Sequence, residues 1–257
     1  MSQVVYEVPY GYRARVGLVV VGPNLNPTPE ITRMLPPGVQ VRETRIHMEP
    51  HVDVEECMKL GQRLPEATAL IVEGMVSPVL GNNSAIAFAC TSGSLVGGPG
   101  WDKREIELMT EKSCGIPCTT TTTSADEAMK WLGLNRIVIA GPYINEVNEK
   151  FREFYSASGF EVLNVAGLGI RDLYKIGATS PGEAYLVARQ AWVPEADGVF
   201  IACTNFRCSD IIKELEQDLG KPVVTANQAT AWNLLRMLKN NDPVEGYGTL
   251  LRKIPRT

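Results

Sequence analysis

Three short motifs occur twice along this chain of 257 residues, in the same order. The second copies follow the first at offsets of 119, 113 and 105 residues. Ordered matches at slowly changing offsets indicate a duplicated unit, and we therefore expect two halves with the same fold. The matching pairs are residues 20–26 with 139–145, 89–91 with 202–204, and 115–117 with 220–222.

Both halves alternate apolar runs with segments of helical periodicity. Residues 15–22 (RVGLVVVG) and 136–140 (RIVIA) are nearly continuous apolar runs, which are typical of parallel strands covered on both faces. Strands that alternate with helices form parallel sheets. The sequence therefore predicts an α/β fold of two similar Rossmann-like lobes with parallel sheets, related by a pseudo-twofold axis.

Two boundaries divide the predicted lobes. The first lobe is predicted at residues 1–115, joined by the C-terminal segment from about residue 225 to 257, and the second lobe at residues 116–224. Within the lobes, Thr28 is the expected N-cap of a short helix, while Ser124 with Glu127 fits a capping box. Pro65 is expected to end the helix that begins at Val54.

Charge and hydropathy exclude several classes of protein. The formal net charge is −4 and the pI is about 5.4, whereas nucleic-acid-binding proteins usually carry a basic surface. Residues 1–12 lack the apolar core of a signal peptide, and no apolar run approaches the roughly 20 residues of a membrane span. We therefore expect a cytoplasmic protein with neither nucleic-acid nor membrane partners.

Two of the six cysteines stand in the same local setting. Cys90 and Cys203 each follow an apolar strand at its carboxyl end, where open α/β sheets place their ligands. A pseudo-twofold axis would bring both thiols to one cleft between the lobes, where we expect the active site. Without a secretion signal, all six cysteines are expected to be thiols, and the other four are interpreted as small buried apolar residues.

No metal or cofactor is predicted. His47 and His51 are the only histidines, and neither they nor Cys114 and Cys118 fit the ligand spacing of a zinc site. A thiol has an ordinary pKa of about 8.5, so it can act as a base or nucleophile near neutral pH. With two thiols, one can attack or remove a proton while the other delivers one.

Polar residues next to the thiols are candidate binding groups for a carboxylate. Thr91 and Ser92 follow Cys90, and Thr204 and Asn205 follow Cys203; their side chains and backbone N–H groups can donate hydrogen bonds to carboxylate oxygens. The loops that contain Asn24, Asn26, Tyr143 and Asn145 leave equivalent strands in the two halves. We therefore expect these loops to line the same cleft.

These motifs resemble the aspartate/glutamate racemase superfamily, and more closely its maleate cis–trans isomerase and arylmalonate decarboxylase branch. The resemblance covers nearly the whole chain. Its most specific parts are Ala-Cys-Thr-Ser-Gly-Ser at Cys90, Cys-Thr-Asn-Phe-Arg at Cys203, Gly141-Pro142-Tyr143 with Val147-Asn148-Glu149, the loop with Pro23, Asn26 and Glu30, and the closing Gly246-Tyr247-Gly248.

The resemblance implies cofactor-independent chemistry next to a carboxylate. In the mechanism given for maleate isomerases, the first cysteine attacks the alkene carbon and the second serves as acid and base. Cys90 is then the nucleophile, Cys203 exchanges the proton, and Asn26 and Tyr143 hold a substrate carboxylate. Arylmalonate decarboxylases have glycine at the first cysteine position, so the presence of both cysteines favours an isomerase. The resemblance also implies a homo-oligomer.

One departure limits the choice of substrate. The isomerases often carry asparagine where this chain has Leu173, and leucine cannot bind a carboxylate. The leading hypothesis is an isomerase of a small (di)carboxylate such as maleate or a substituted maleate. Leu173 and the Gly-Tyr-Gly ending favour a second hypothesis, a racemase, epimerase or decarboxylase of an α-substituted acid. A third is a non-catalytic protein that binds a small molecule between the same two lobes.

Overall fold

The computed structural model describes residues 10–77 and 81–254. Most of the N-terminal stretch in which no signal peptide is predicted lies outside these residues. Each lobe contains a four-stranded sheet, and all neighbouring strands run parallel. The strands are β1 (Ala14–Val21), β2 (Val39–Ile46), β3 (Ser84–Ala89) and β4 (Cys118–Thr120) in the first sheet, and β5 (Arg136–Gly141), β6 (Glu161–Gly167), β7 (Gly198–Ile201) and β8 (Val223–Thr225) in the second.

Helices connect the strands of both sheets. None of the helices in the described ranges is long and apolar enough to cross a membrane. They are α1 (Pro27–Arg33), α2 (Val54–Lys59), α3 (Leu64–Glu73), α4 (Trp101–Thr110), α5 (Thr121–Trp131), α6 (Asn145–Ala157), α7 (Leu173–Ala178), α8 (Pro181–Ala191), α9 (Ile212–Leu219), α10 (Ala226–Met237) and α11 (Gly248–Arg252), with 3₁₀ turns at Leu60–Arg63 and Ser209–Ile211.

The two sheets have the same topology. The strand order is β2-β1-β3-β4 in the first sheet and β6-β5-β7-β8 in the second, so adding four to each strand number of one order gives the other. Strands β1 and β3 are buried along their whole length, as their apolar sequences predict for strands covered on both faces. The predicted fold class, two similar α/β lobes with parallel sheets, is confirmed.

The boundary between the sheets lies later than predicted. Strand β4 pairs with β3, with Cys118 opposite Ile86, so the first sheet continues past residue 115 to Thr120. A three-residue strand ending in hydroxylated residues has too little apolar pattern to be assigned to a sheet from sequence. Helix α10 packs against α5 and β3 as well as β8. The remaining division of the chain into domains stays a prediction.

Two predicted helix caps are wrong. Asn26, not Thr28, precedes α1, and the Thr28 hydroxyl donates to the Glu43 carboxylate instead. Helix α5 is capped by Thr120, whose Oγ1 accepts the Thr123 N–H at 3.1 Å. Ser124 lies inside that helix. Several adjacent hydroxyls can each act as a cap, and the end of β4 decides which of them remains extended.

Two helices begin at positions that the sequence did not indicate. Pro65 lies in the first turn of α3 rather than at the end of the preceding helix, because a proline at that position has no N–H to leave unpaired. Helix α7 was not predicted. The Asp172 carboxylate caps it by accepting the N–H groups of Tyr174 and Lys175 at 2.9 and 3.1 Å. This cap fixes the place of Leu173.

Candidate active site

The carboxyl ends of β1, β3, β5 and β7 surround one closed cavity between the lobes. Its volume is about 10 Å³, roughly the space that one water molecule needs. The first lobe contributes Val21, Asn24, Met48, Cys90, Thr91 and Ser92 to its wall, and the second contributes Tyr143, Leu173, Cys203 and Thr204.

Six of the eight predicted site residues line this cavity, and two lie behind its wall. Asn26 Nδ2 donates to the Gly177 and Asn205 carbonyl oxygens at 3.0 and 2.7 Å. The Asn205 amide accepts the Leu25 N–H and donates to the Leu173 carbonyl oxygen, both at 2.7 Å. Since both side-chain amides are already hydrogen-bonded to the backbone, they hold the loops around the cavity in place and do not point into it.

Asn24 occupies the place in the cavity that was expected for Asn26. It is 4 % exposed, and its Oδ1 has no hydrogen-bond partner among the described residues. Asn24 is offset from Tyr143 by 119 residues, so the two are equivalent positions of the duplication, and both reach the cavity. The alignment of the two repeats alone therefore indicates that Asn24 lines the cavity. Nothing in the sequence indicated Val21 or Met48.

Cys90 is 5 % exposed and faces donors from its own loop. The Gly93 N–H donates to Cys90 Sγ at 3.3 Å, and Ser92 Oγ lies 3.9 Å from the same sulfur. A Cβ atom at position 93 would stand 3.0 Å from that sulfur, so only glycine allows the loop to turn this closely. Burial raises the pKa of Cys90 to about 12, while the hydrogen bonds from Gly93 and Ser92 oppose the rise.

Cys203 is equally buried but has a strained backbone. Its φ angle is 89°, a region that non-glycine residues rarely adopt. The Tyr143 hydroxyl and the N–H groups of Asn205 and Phe206 face its sulfur. Burial raises the pKa of Cys203 to about 11, and these three hydrogen bonds oppose the rise because they stabilise the thiolate.

Two hydroxyl groups lie between the thiols. The Tyr143 hydroxyl is close enough to Cys203 and Ser92 for both to affect its pKa, and Ser92 Oγ lies 3.9 Å from Cys90 Sγ. The buried Cys57 thiol is a further partner of Ser92. Burial raises the pKa of Tyr143 well above its ordinary value, so this phenol is a neutral donor and acceptor at physiological pH. A hydroxyl group therefore lies near each of the two sulfurs.

A short contact between the lobes closes the cavity. The Val52 N–H donates to the Arg171 carbonyl at 2.8 Å, and the Leu173 N–H donates to the Pro50 carbonyl at 3.0 Å. This antiparallel bridge joins the segments that carry Met48 and Leu173, two residues of the cavity wall. A small organic acid is larger than this volume, so residues of the cavity wall must move to admit one.

The wall offers neutral donors rather than cations. None of the described residues around the cavity is lysine, arginine or histidine, and the described part of the chain holds no group of three or more His, Cys, Asp or Glu side chains placed to bind a metal ion. Asn24 Oδ1 and Thr91 Oγ1 are buried and have no hydrogen-bond partner within residues 10–77 and 81–254. Because buried polar groups are normally paired, both are free to bind a ligand beside the thiols.

Comparison with known proteins agrees with this geometry. The chain is 26% identical over 232 residues to an arylmalonate decarboxylase from Bordetella bronchiseptica, covering 87% of this chain and 96% of that protein. It is 24% identical over 250 residues to a maleate isomerase from Geobacillus stearothermophilus, covering 92% and 96%.

A solved structure and a family model extend the likeness. A mutant of the Nocardia farcinica maleate cis–trans isomerase with a covalently bound succinylcysteine intermediate superimposes with a TM-score of 0.81 at 24% identity, covering 93% of this chain and 98% of that one. The family model for arylmalonate decarboxylase matches residues 79–251. The chain therefore belongs to the arylmalonate decarboxylase family, and it is an enzyme of the branch shared with the maleate isomerases, as its sequence predicted.

Proposed function

We propose that this protein is a cofactor-independent isomerase of a small unsaturated carboxylate, with Cys90 as nucleophile and Cys203 as acid and base. One observation carries the proposal: both thiols line the same closed cavity, each with hydrogen-bond donors at its sulfur. A nucleophile and a proton carrier on one cavity are what addition to a carbon–carbon double bond requires.

The proposed reaction begins with addition. The Cys90 thiol first gives its proton to water, which returns it at the end of the cycle. The thiolate adds to one alkene carbon, the π electrons move to the neighbouring carbon, and that carbon takes the Cys203 thiol proton. Rotation follows about the single bond. The Cys203 thiolate then takes a proton from the same carbon, the double bond re-forms, and the bond to Cys90 sulfur breaks. Both thiols return to their starting states, so no redox partner is consumed.

The cavity wall supports a substrate with one strongly held carboxylate. Asn24, Thr91 and Thr204 supply neutral polar groups, whereas Val21, Met48 and Leu173 are apolar. A second carboxylate next to Leu173 would lose hydration without gaining a hydrogen bond there, and burying an unpaired charge is strongly unfavourable. We therefore favour a substituted maleate or a related cis-alkenoate with a less polar second substituent.

A decarboxylase or racemase of an α-substituted acid is the second candidate. The apolar part of the wall favours it, because it fits a substituent rather than a second carboxylate, and the relative from Bordetella bronchiseptica is an arylmalonate decarboxylase. In that reaction Cys203 alone would deliver a proton to the carbon that has lost carbon dioxide. Cys90 would then lie beside the substrate without forming a bond to it.

One screen separates the candidates. The protein is incubated in deuterated water with maleate, 2-substituted maleates, 2-substituted malonates and α-substituted acids, and the products are followed by NMR. Isomerisation gives new alkene signals, racemisation exchanges the α-hydrogen, and decarboxylation releases carbon dioxide. Isomerisation that is lost in both Cys90→Ser and Cys203→Ser supports the proposal. Full turnover by both variants, or decarboxylation alone, would overturn it.

A further inference from the structure

We propose that Glu30 is a positioning residue for Cys203: its carboxylate reaches across from the first lobe and fixes the loop at residues 203–209. The inference rests on the proposed function, in which Cys203 carries the proton. Glu30 lies on α1, and its carboxyl group is 178 positions or more away in sequence from the groups that it contacts.

Three donors converge on this carboxylate. Oε1 accepts the N–H groups of Cys208 and Ser209 at 2.9 and 3.0 Å, and Oε2 accepts Asn227 Nδ2 at 2.8 Å. Glu30 is 6 % exposed, and a buried carboxylate is stable only when it is paired with donors in this way. All three partners belong to the Cys203 loop or to the helix packed beside it. The far end of the loop is therefore attached to the first lobe.

The same network reaches the residue next to the thiol. Asn227 Nδ2 also donates to the Thr204 carbonyl oxygen at 2.8 Å. Asn205 is held in turn by the Leu25 N–H and by Asn26 Nδ2, each at 2.7 Å. The loop is thus fixed near its start by the residues just before α1 and near its end by Glu30, which lies on that helix.

The strained backbone of Cys203 explains why such fixation is needed. A non-glycine residue at a φ of 89° persists only when its surroundings over-determine it. If the loop were released, Cys203 would relax and its sulfur would leave the Tyr143 hydroxyl and the N–H groups of Asn205 and Phe206. Cys90 has no positive φ angle, and its loop has no need of such a constraint.

The equivalent glutamate of the second lobe provides a matched control. Glu149 is offset from Glu30 by 119 residues, but its side chain is 67% exposed and its ion pair is with Arg152 at 3.5 Å, in its own helix. Glu149 makes no recorded contact with the Cys90 loop in the described part of the chain. The buried carboxylate that binds the opposite loop is therefore specific to Glu30 and is not repeated at the equivalent position of the second lobe.

The isosteric variant Glu30→Gln tests the proposal. The amide nitrogen of the new glutamine must face either the N–H groups of Cys208 and Ser209 or Asn227 Nδ2. Because two donors cannot form a hydrogen bond with each other, at least one of these contacts is lost and the loop loosens. We expect faster hydrogen–deuterium exchange in residues 203–209 and unchanged exchange in residues 90–96. With the substrate found by the screen, we expect kcat to fall about 100-fold while KM changes less than threefold.

Alkylation by iodoacetamide at pH 8 gives a readout that needs no substrate. Burial holds the Cys203 thiol in its protonated form, and the Glu30 charge adds to this effect. Loosening the loop and removing the charge should therefore speed alkylation of Cys203 about tenfold, while Cys90 stays within twofold. Slower turnover with faster alkylation at one thiol is not expected from general destabilisation, which would expose both.

Two further variants complete the test. Glu149→Gln should match the wild type in every measurement. Asn227→Asp turns one of the three donors to Glu30, which also donates to the Thr204 carbonyl oxygen, into an acceptor, so it should loosen residues 203–209 and speed alkylation of Cys203 as Glu30→Gln does. Unchanged exchange in residues 203–209, unchanged alkylation of Cys203, or loosening with full kcat would overturn the proposal. If the wild type proves inactive in the screen, exchange and alkylation still decide the role of Glu30.

Discussion

The Cys90 and Cys203 loops occupy equivalent places in two equivalent sheets, yet they are held by different parts of the molecule. Each follows the strand third in its sheet order, β3 or β7. Cys203 has a φ of 89° and depends on Glu30, Leu25 and Asn26 of the opposite lobe. The Cys90 loop is fixed largely within its own lobe. Duplication has preserved the position of the thiol and not the way it is supported.

The internal support of the Cys90 loop consists of hydroxyl and indole groups. Ser94 Oγ donates to the Cys90 carbonyl oxygen at 2.7 Å and lies 2.7 Å from Thr122 Oγ1. Trp101 Nε1 donates to the Gly93 carbonyl oxygen at 3.0 Å. These groups belong to the Cys90 loop itself, to α4 and to α5. The supports of Cys203 lie instead on α1 and just before it.

The largest expected effects come from removing each thiol. Cys90→Ser and Cys203→Ser should each lower isomerisation at least about 1,000-fold, but at different steps. Cys203→Ser retains the nucleophile, so intact-mass spectrometry should detect a substrate adduct on Cys90. Cys90→Ser should give no adduct. An adduct on Cys203 in the Cys90→Ser variant would reverse the assigned roles, and Cys114→Ser is the control for an exposed cysteine.

Tyr143→Phe and Asn24→Ala compare equivalent positions whose surroundings differ. The Tyr143 hydroxyl lowers the pKa of Cys203, so its loss should raise that pKa and lower kcat about 30-fold. In the described part of the chain, the Asn24 side chain makes no hydrogen bond to either thiol, so its truncation should raise KM about tenfold and leave kcat within threefold. Steady-state kinetics checks both, and Tyr174→Phe, at an exposed tyrosine, is the control. Equal effects on kcat would contradict the distinction.

Leu173→Asn tests the apolar side of the wall. An amide at this position could donate a hydrogen bond to a second carboxylate, whereas leucine cannot. We expect KM for maleate to fall about tenfold relative to KM for a 2-alkyl maleate. Competition between the two substrates, followed by NMR, measures the ratio directly. A ratio unchanged from the wild type would mean that Leu173 does not set the choice of substrate.

Much of the fold could be predicted because the duplication repeats the buried apolar strands. Parallel strands covered on both faces leave continuous apolar runs, and these identified β1 and β5 within one residue at each end. Short β4 and helix α7 could not be assigned in this way. One has three residues with little apolar pattern, and the other depends on the Asp172 cap and on contact with Pro50 of the other lobe.

The site was predictable where the repeat constrained it. The two cysteines and Tyr143 follow strands whose ends must converge, and the structure brings them together. Asn26 was favoured by the family motif, but the repeat aligns Tyr143 with Asn24, and Asn24 lines the cavity. Met48 enters from the loop after β2, and Glu30 acts on a loop in the other lobe. Contacts between the lobes produce no periodic pattern in the sequence, so they could not be predicted from it.

The smallest expected effect is on the free energy of unfolding at alkaline pH, which both buried thiols lower. Burial raises the pKa of Cys90 to about 12 and of Cys203 to about 11, whereas an unfolded thiol ionises near about 8.5. Above that pH the folded state binds more protons, so the free energy of unfolding falls as pH rises. The slope is about 1.4 kcal/mol per pH unit for each thiol, until the folded pKa is reached.

Each cysteine-to-serine variant should therefore lose part of the alkaline slope. Urea unfolding between pH 8 and 10.5 should show a slope that is shallower by about 1.4 kcal/mol per pH unit in either variant than in the wild type. Cys114→Ser, at the exposed thiol, is the control. Because burial raises the pKa of Cys203 less than that of Cys90, its contribution should end at lower pH. Equal slopes in the wild type and Cys203→Ser would show that the pKa of Cys203 is not raised in the folded protein. The two loops would then differ also in the ionisation of their thiols, with Cys203 present as a thiolate at lower pH than Cys90.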